Sequence, residues 1–181
     1  VEMAPGHIMR VASVSKLITA VGIMVLQDQG KMTIKDKVFG PDGILNDEFF
    51  NELTKCDSRY QKITVEDVMR HQGGFNRDPL FSSIDVQKQM GLDNPPTKED
   101  YFKLVLGHRL RANPGERNSY SNFGYMLLSE IIERVFNAAR LTFNTRSNFL
   151  APIFCAANAA TPLPVVDIND IDTPLSLMAA A

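Results

Sequence analysis

A serine and a lysine three positions apart stand near the start of the chain, in the run Ser13-Val14-Ser15-Lys16. On a helix, this spacing places the two side chains on one face, within reach of each other. A serine hydroxyl needs a neighbouring base to act as a nucleophile, and a lysine serves as that base only when its pKa is lowered. Lys16 is the only ionisable residue between Ser13 and Gln27, on a helix that is apolar nearly all round. Burial is therefore expected to lower the pKa of Lys16 and make it the activating partner of Ser13.

Ser13 stands at the start of the predicted helix, and this position has its own chemistry. Backbone N–H groups without partners at a helix start favour negative charge, so the N–H of Ser13 could help to bind an oxyanion. A simpler interpretation is that Ser13 only caps the helix and that Lys16 extends to water. Ser-x-x-Lys occurs by chance about once in a chain of this length, so the motif alone does not choose between these alternatives.

A second candidate pair, Tyr120 and Asn122, stands on a predicted loop just before a helix. The phenol of Tyr120 could relay a proton if a nearby ammonium lowered its pKa. The amide of Asn122 could hold a substrate amide. The alternative is a tyrosine in a turn followed by an asparagine that caps the helix.

Together, three segments resemble one family. They are residues 10–20 (RVASVSKLITA), residues 68–74 (VMRHQGG) and Pro114-Gly115 leading into residues 120–125 (YSNFGY). Their order and rough spacing resemble the class C β-lactamase-like serine hydrolases, penicillin-binding proteins and DD-peptidases, over about residues 8–135. The resemblance implies an α+β fold, of which this chain holds the mostly helical part, with the flanking antiparallel sheet reduced or missing.

The resemblance also implies roles for the four candidate residues. Ser13 would form the acyl-enzyme, Lys16 and Tyr120 would share proton transfer, and Asn122 would bind the substrate amide. In this family, the segment that contains His71 is structural. The resemblance further implies a substrate among β-lactams, D-alanyl peptides and small esters or amides, and a periplasmic or extracellular location.

The sequence departs from the family in one motif. The family's third motif, a Lys or His followed by Thr or Ser and then Gly, has no match after Asn122. In the family, this motif lies on a strand that supplies a second backbone N–H group to the oxyanion. The class A pattern Glu-x-x-Leu-Asn is absent as well, which favours a tyrosine-assisted mechanism. Two hypotheses follow. The protein is a serine hydrolase with an acyl-serine intermediate, or the chain is a non-catalytic fragment or substrate-binding module that keeps the helical core.

Composition narrows the class of partner. The chain has 181 residues, 44% of them hydrophobic, which suits one compact domain. With 19 Lys and Arg against 21 Asp and Glu, and no long run of either sign, it lacks the charge of a nucleic-acid-binding protein. Cys56 and Cys155 stand far apart without a CxxC or a nearby His, which predicts neither a zinc site nor a disulfide scaffold. We therefore expect a small-molecule or peptide substrate and no metal or cofactor.

Apolar periodicity and turn residues predict the main elements. A buried helix is expected over residues 14–29, an extended segment over 31–38 and a turn over 40–43. Thr64 is expected to cap a helix that ends near Gly73-Gly74, and Thr97 to cap another. A loop-rich region is expected between these two helices, and a final helix over about residues 123–136.

The composition changes sharply near the end of the chain. Every Lys, Arg and His lies at or before Arg146. We therefore predict a hydrolase-like domain over residues 1–146 and a tail of a different kind over 147–181. Within the tail, residues 167–170 (DIND) only faintly resemble a calcium loop, because its glycine and final glutamate are missing. No apolar stretch reaches the roughly 18 residues of a transmembrane helix.

Overall fold

The computed structural model of the protein describes residues 9–76, 78, 83–142 and 165–166. Helices dominate these residues, and the strands form two small sheets of two strands each. The strands are β1 (Met9–Arg10), β2 (Lys37–Phe39), β3 (Gly43–Leu45) and β4 (Val165–Val166). The α-helices are α1 (Ser15–Asp28), α2 (Glu48–Thr54), α3 (Val65–Met69), α4 (Ser83–Met90), α5 (Lys98–Leu106) and α6 (Asn122–Thr142), with 3-10 segments at Ala12–Val14 and Ser58–Lys62. The predicted fold class, a mostly helical α+β arrangement with a reduced sheet, is confirmed.

The two sheets differ in strand direction. Strand β1 pairs with β4 in an antiparallel manner, with Met9 opposite Val166. Strands β2 and β3 are parallel, with Phe39 opposite Leu45. Because β1 leads directly into the 3-10 segment that carries Ser13, its pairing with β4 fixes the approach of the chain to the candidate site.

The core is built around α6, which packs against α1 and α3. Phe123, Leu127, Leu128 and Ile131 are fully buried on this helix. A chain of aromatic rings extends the core toward the small sheet, with neighbouring centroids 5.2 to 6.1 Å apart, and it runs through Tyr60, Phe39, Phe50, Phe102 and Phe123. Each such side chain stabilises the fold by about 1.5–3 kcal/mol through removal of apolar surface from water. The N-terminal end of α6 is therefore anchored in the core through Phe123.

The predicted burial of the first helix is wrong on one side. Helix α1 forms where expected, and Ile23 and Leu26 are buried against the core. Four apolar side chains on the opposite side are exposed, however, by 61%, 66%, 53% and 39%, namely Val14 at the N-cap of α1 and Leu17, Val21 and Met24 on the helix itself. We call these four residues the outer row of α1. Apolar content alone does not show which sides of a helix are covered, and no described residue covers this one.

The predicted helix caps are confirmed. The side chains of Thr64 and Asp67 form a reciprocal capping box at the start of α3, and Thr97 and Asp100 form another at α5. Each box satisfies backbone N–H groups that a helix start leaves unpaired. Helix α3 ends at Met69, earlier than the Gly73-Gly74 stop that the sequence predicts. Helix α6 forms as predicted and extends to Thr142.

Two helices were not predicted. Helix α2 begins at an Asp47 cap, whose side chain accepts a hydrogen bond from Phe50 N. Helix α4 lies within the stretch expected to be loop-rich, and Val86 is its buried residue, which explains the lack of a clear apolar period. Every helix of the described part is too short or too polar to cross a lipid bilayer.

Several predictions concern the end of the chain. Cys155, the DIND run at residues 167–170 and all of residues 147–181 except β4 lie outside the described residues. The division at residue 146 stays a prediction.

Candidate active site

Ser13 lies in the short 3-10 segment before α1, where its hydroxyl is exposed. The preceding residue, Ala12, has a φ of 44°, in the left-handed region that L-residues with a Cβ rarely adopt. Such strain costs on the order of 1–3 kcal/mol and is often found at functional sites. The hydroxyl Oγ of Ser13 lies 2.7 Å from the phenolic oxygen of Tyr120, a hydrogen bond in which either oxygen can donate. The strained turn thus presents Ser13 directly to Tyr120.

Tyr120 comes from the loop before α6, and half of its surface is exposed. The Lys16 ammonium lies 4.8 Å from the centre of the Tyr120 ring. Lys16 first, and the bound hydroxyl of Ser13 second, lower the pKa of Tyr120 below its ordinary value of 10.0. A tyrosine with a lowered pKa loses its proton more readily, so more of it is present near neutral pH as the phenolate. The phenolate is the form that acts as a general base. Tyr120 therefore has the position and the lowered pKa that a proton acceptor for Ser13 would need.

Lys16 is held by the start of α6. It lies in the first turn of α1, half-buried, and its Nζ donates a hydrogen bond of 2.6 Å to Oδ1 of Asn122. The same Nζ lies 5.7 Å from the centre of the Tyr125 ring. The described contacts thus link Lys16 to Asn122 and to the Tyr120 ring, and they link Ser13 to Tyr120. The direct Ser13–Lys16 pairing expected from the spacing of three is replaced by a route through Tyr120.

Asp78 joins the site although the sequence did not indicate it. Its Oδ2 accepts hydrogen bonds from the backbone N of Asn122 at 2.7 Å and from Nδ2 of the same residue at 3.2 Å. Its Oδ1 accepts another from Phe123 N at 3.0 Å. The carboxylate therefore satisfies the first free N–H groups of α6 and also contacts a candidate site residue.

His71 supports the loop that carries Tyr120. Its Nδ1 accepts a hydrogen bond from Ser121 N at 3.1 Å, and its carbonyl oxygen accepts one from Ser119 N at 2.8 Å. Its ring lies 4.6 Å from the Tyr120 ring, centre to centre. Burial, and then the positive charge of Lys16, lower the pKa of His71, so the ring is neutral near pH 7. With Nδ1 already occupied by a backbone N–H, His71 acts on this loop as a fixed acceptor.

A cleft of about 130 Å³ opens beside Tyr120, and its lining includes His71, Phe75, Asp78 and Arg111. At about 30 Å³ for each water molecule, it has room for a small substituent. Gly74 is needed for its shape, because a Cβ there would lie 2.4 Å from the carbonyl oxygen of Ala112, and its φ is +77°. No group of three or more His, Cys, Asp or Glu in the described part of the chain could hold a metal ion.

Comparison with known proteins assigns the chain to a family. The beta-lactamase family model matches residues 1–152. The chain belongs to the beta-lactamase family. Among curated relatives, the "Probable hydrolase M10" of Phoma sp. (strain ATCC 20986 / MF5453) is 25% identical over 157 residues, covering 74% of this chain and 25% of that protein. "Penicillin-binding protein 4*" of Bacillus subtilis (strain 168) is 28% identical over 143 residues, covering 77% of this chain and 28% of that protein.

Solved structures of this family share the fold. The octameric penicillin-binding protein homologue from Pyrococcus abyssi has a TM-score of 0.53 and 26% identity, covering 74% of this chain and 29% of that chain. A D-stereospecific amidohydrolase from Streptomyces sp. has a TM-score of 0.55, covering 73% of this chain and 38% of that chain, and its 23% identity is informative about the fold alone. The chain spans about a quarter of the length of the curated relatives that it matches.

The structure brings all four predicted site residues of this beta-lactamase-family chain together at the adjacent starts of α1 and α6. They are Ser13, Lys16, Tyr120 and Asn122. Their catalytic roles stay predictions. Asp78 was missed, because the first turn of α6 has no acidic residue and no sequence signal connects its N–H groups to a carboxylate 44 positions away.

Proposed function

We propose that the protein, at full length, is a serine hydrolase that forms an acyl-serine intermediate at Ser13. Its substrate would be a β-lactam, a D-alanyl peptide or a small ester or amide. The observation that carries this proposal is the 2.7 Å contact between the Ser13 hydroxyl and the Tyr120 phenol, beside the Lys16 ammonium. A nucleophile and a base within hydrogen-bond reach, with the base oriented by a third group, are the parts that covalent catalysis requires.

The proposed first step is acylation. Tyr120, as a phenolate beside Lys16, takes the proton of Ser13 while Oγ bonds to the substrate carbonyl carbon. The electrons of the C=O bond move to oxygen, and their return expels the leaving amine or alkoxide, which takes the proton back from Tyr120. Water then attacks the ester as Tyr120 accepts a proton from that water. Collapse releases the acid and returns the proton to Ser13.

Asn122 is proposed to bind the substrate in addition to its contact with Lys16. Its Oδ1 accepts from Lys16, and its Nδ2 donates to Asp78. An amide nitrogen carries two hydrogens, so the second one is available to a substrate carbonyl. The N–H of Ser13 is proposed as one donor to the oxyanion.

A second candidate function is a substrate-binding module without turnover. It is the alternative that the sequence leaves open, because the family motifs within these 181 residues could bind substrate without forming an acyl-serine. Such a module would bind substrate at the same residues and form no covalent adduct.

Intact-mass spectrometry after treatment with a fluorophosphonate or a penicillin distinguishes these two functions. The full-length protein is expected to gain one adduct, and Ser13→Ala is expected to lose it. Ser58→Ala is the matched control, because Ser58 is an exposed serine on a different segment. No adduct on the full-length protein, or an adduct that persists in Ser13→Ala, would contradict the hydrolase proposal.

A further inference from the structure

We propose that Asp78 is a positioning residue, which orients the side-chain amide of Asn122 so that its oxygen faces Lys16. This inference rests on the proposed function, because it assigns Asp78 a part in the same site. Asp78 is half-buried and lines the cleft beside Tyr120. Its hydrogen bonds with the site run through Asn122 and the backbone at the start of α6, and its charge also acts directly on Tyr120, whose pKa it raises against the larger effect of Lys16.

The amide of Asn122 has two orientations of nearly equal shape, which exchange its oxygen and nitrogen. In the observed one, Oδ1 lies 2.6 Å from the Lys16 ammonium and Nδ2 lies 3.2 Å from the Asp78 carboxylate. In the reversed one, two donors would meet at Lys16 and two acceptors at Asp78. A positive group on one side and a negative group on the other therefore select one orientation.

This selection matters because Lys16 also acts on Tyr120. The carbonyl of Asn122 holds the ammonium at a fixed point, 4.8 Å from the centre of the Tyr120 ring. Without Asp78, only Lys16 restrains the amide of Asn122, so the amide is freer to rotate and its oxygen holds the ammonium less firmly at that point. Removal of Asp78 is thus expected to slow acylation of Ser13 through two intermediate residues.

Asp78 has a second role that the experiment must separate from the first. Its bonds to the backbone N of Asn122 and of Phe123 cap α6, and loss of a helix cap lowers stability whatever the site does. Thr97→Ala is the matched control, since Thr97 caps α5 with its side chain and touches none of the candidate site residues. We expect Thr97→Ala to lower the melting temperature without slowing the labelling of Ser13.

A double-mutant cycle tests the positioning role. The second-order rate of fluorophosphonate labelling at Ser13 is measured for the full-length wild type, Asp78→Ala, Asn122→Ala and the double variant. In the otherwise wild-type protein, we expect Asp78→Ala to slow labelling by about tenfold or more. In the Asn122→Ala background, we expect the same substitution to slow labelling by less than about twofold. An unchanged rate in folded Asp78→Ala, or an equal loss in both backgrounds, overturns the proposal.

Two further measurements keep the outcome clear. If Asp78→Ala does not fold, the cycle is run with Asp78→Asn, and the same loss of effect in the Asn122→Ala background is required. If the wild type is not labelled at all, the proposed function fails. The orientation is then tested alone, by hydrogen exchange at the side-chain amide of ¹⁵N-labelled Asn122. Faster exchange in Asp78→Asn than in the wild type supports the positioning role, and equal exchange rejects it.

Discussion

The ammonium of Lys16 and the side-chain oxygen of Asn122 lie 2.6 Å apart, and each belongs to the first turn of its own helix. Because α1 and α6 begin at the same end of the molecule, a residue from each can serve one site. The charge of Lys16 is held between this oxygen and the Tyr120 ring. Several measurable consequences depend on this arrangement.

Replacement of Lys16 by Met is expected to slow the labelling of Ser13 by about 10²–10⁴, the range that a general acid–base group contributes. The physical reason is that Lys16 is the main cause of the lowered pKa of Tyr120. The rate is measured by quenching the labelling reaction at a series of times and determining the labelled fraction by mass spectrometry. Lys103→Met is the control, because Lys103 lies on α5 and pairs with Asp100. Equal rates for Lys16→Met and Lys103→Met would contradict the role of Lys16.

Of the four tyrosines in these 181 residues, Tyr120 is expected to ionise first as the pH rises. The pKa of Tyr120 is lowered by Lys16, while burial raises the pKa values of Tyr60, Tyr101 and Tyr125. As the pH rises, the first phenolate in an ultraviolet absorbance titration should therefore be Tyr120, with a midpoint below the ordinary 10.0. Tyr120→Phe should remove this first step, and Tyr101→Phe should leave it in place. A first step that survives in Tyr120→Phe would show that another tyrosine ionises first.

Acidification is expected to destabilise the loop around Tyr120 through His71. Burial lowers the pKa of His71 below its ordinary value of 6.5, so the folded protein favours the neutral ring. This stabilisation is present above pH 6.5 and is lost as the pH falls toward the lower folded value. An asparagine at position 71 keeps an acceptor for Ser121 N and tolerates the φ of 59°. Because asparagine does not titrate, the melting temperature of His71→Asn should depend less on pH than that of the wild type between about 7.5 and about 5.

The control for this experiment is His108→Asn, in which His71 is unchanged and the loss of melting temperature on acidification should persist. An identical pH dependence in the wild type and His71→Asn would exclude His71 as its source.

Asp57 is expected to contribute stability that is lost only in strong acid. Hydrogen bonds from the Arg59 side chain, chief among several causes, lower the pKa of Asp57 to about 2 from an ordinary 3.8. The contribution is thus present above pH 3.8 and disappears as the pH falls through about 2. Asp57→Asn should lower the free energy of unfolding at neutral pH by roughly 2 kcal/mol, the scale of a charge-assisted hydrogen bond. Urea unfolding measures this, and Asp93→Asn, an exposed aspartate, should be neutral.

Features set by neighbouring residues can be predicted from the sequence, because their partners lie within one helical turn. Thr64 and Asp67 are three positions apart, and this spacing alone predicts their capping box. Asp78 and Asn122 are 44 positions apart, and no local pattern connects them. The exposure of the outer row of α1 likewise depends on what lies against the helix. Sequence patterns therefore identify the four candidate site residues but not Asp78, which contacts one of them.

Ser13 and Tyr120 meet across 107 positions of the chain. To bring these two residues together, the chain must close a loop of that length, which lowers its entropy and makes the contact slow to form. A refolding molecule can acquire a reactive serine only after this closure. The time course of Ser13 labelling after dilution from denaturant is therefore expected to lag behind the formation of the local helical contacts.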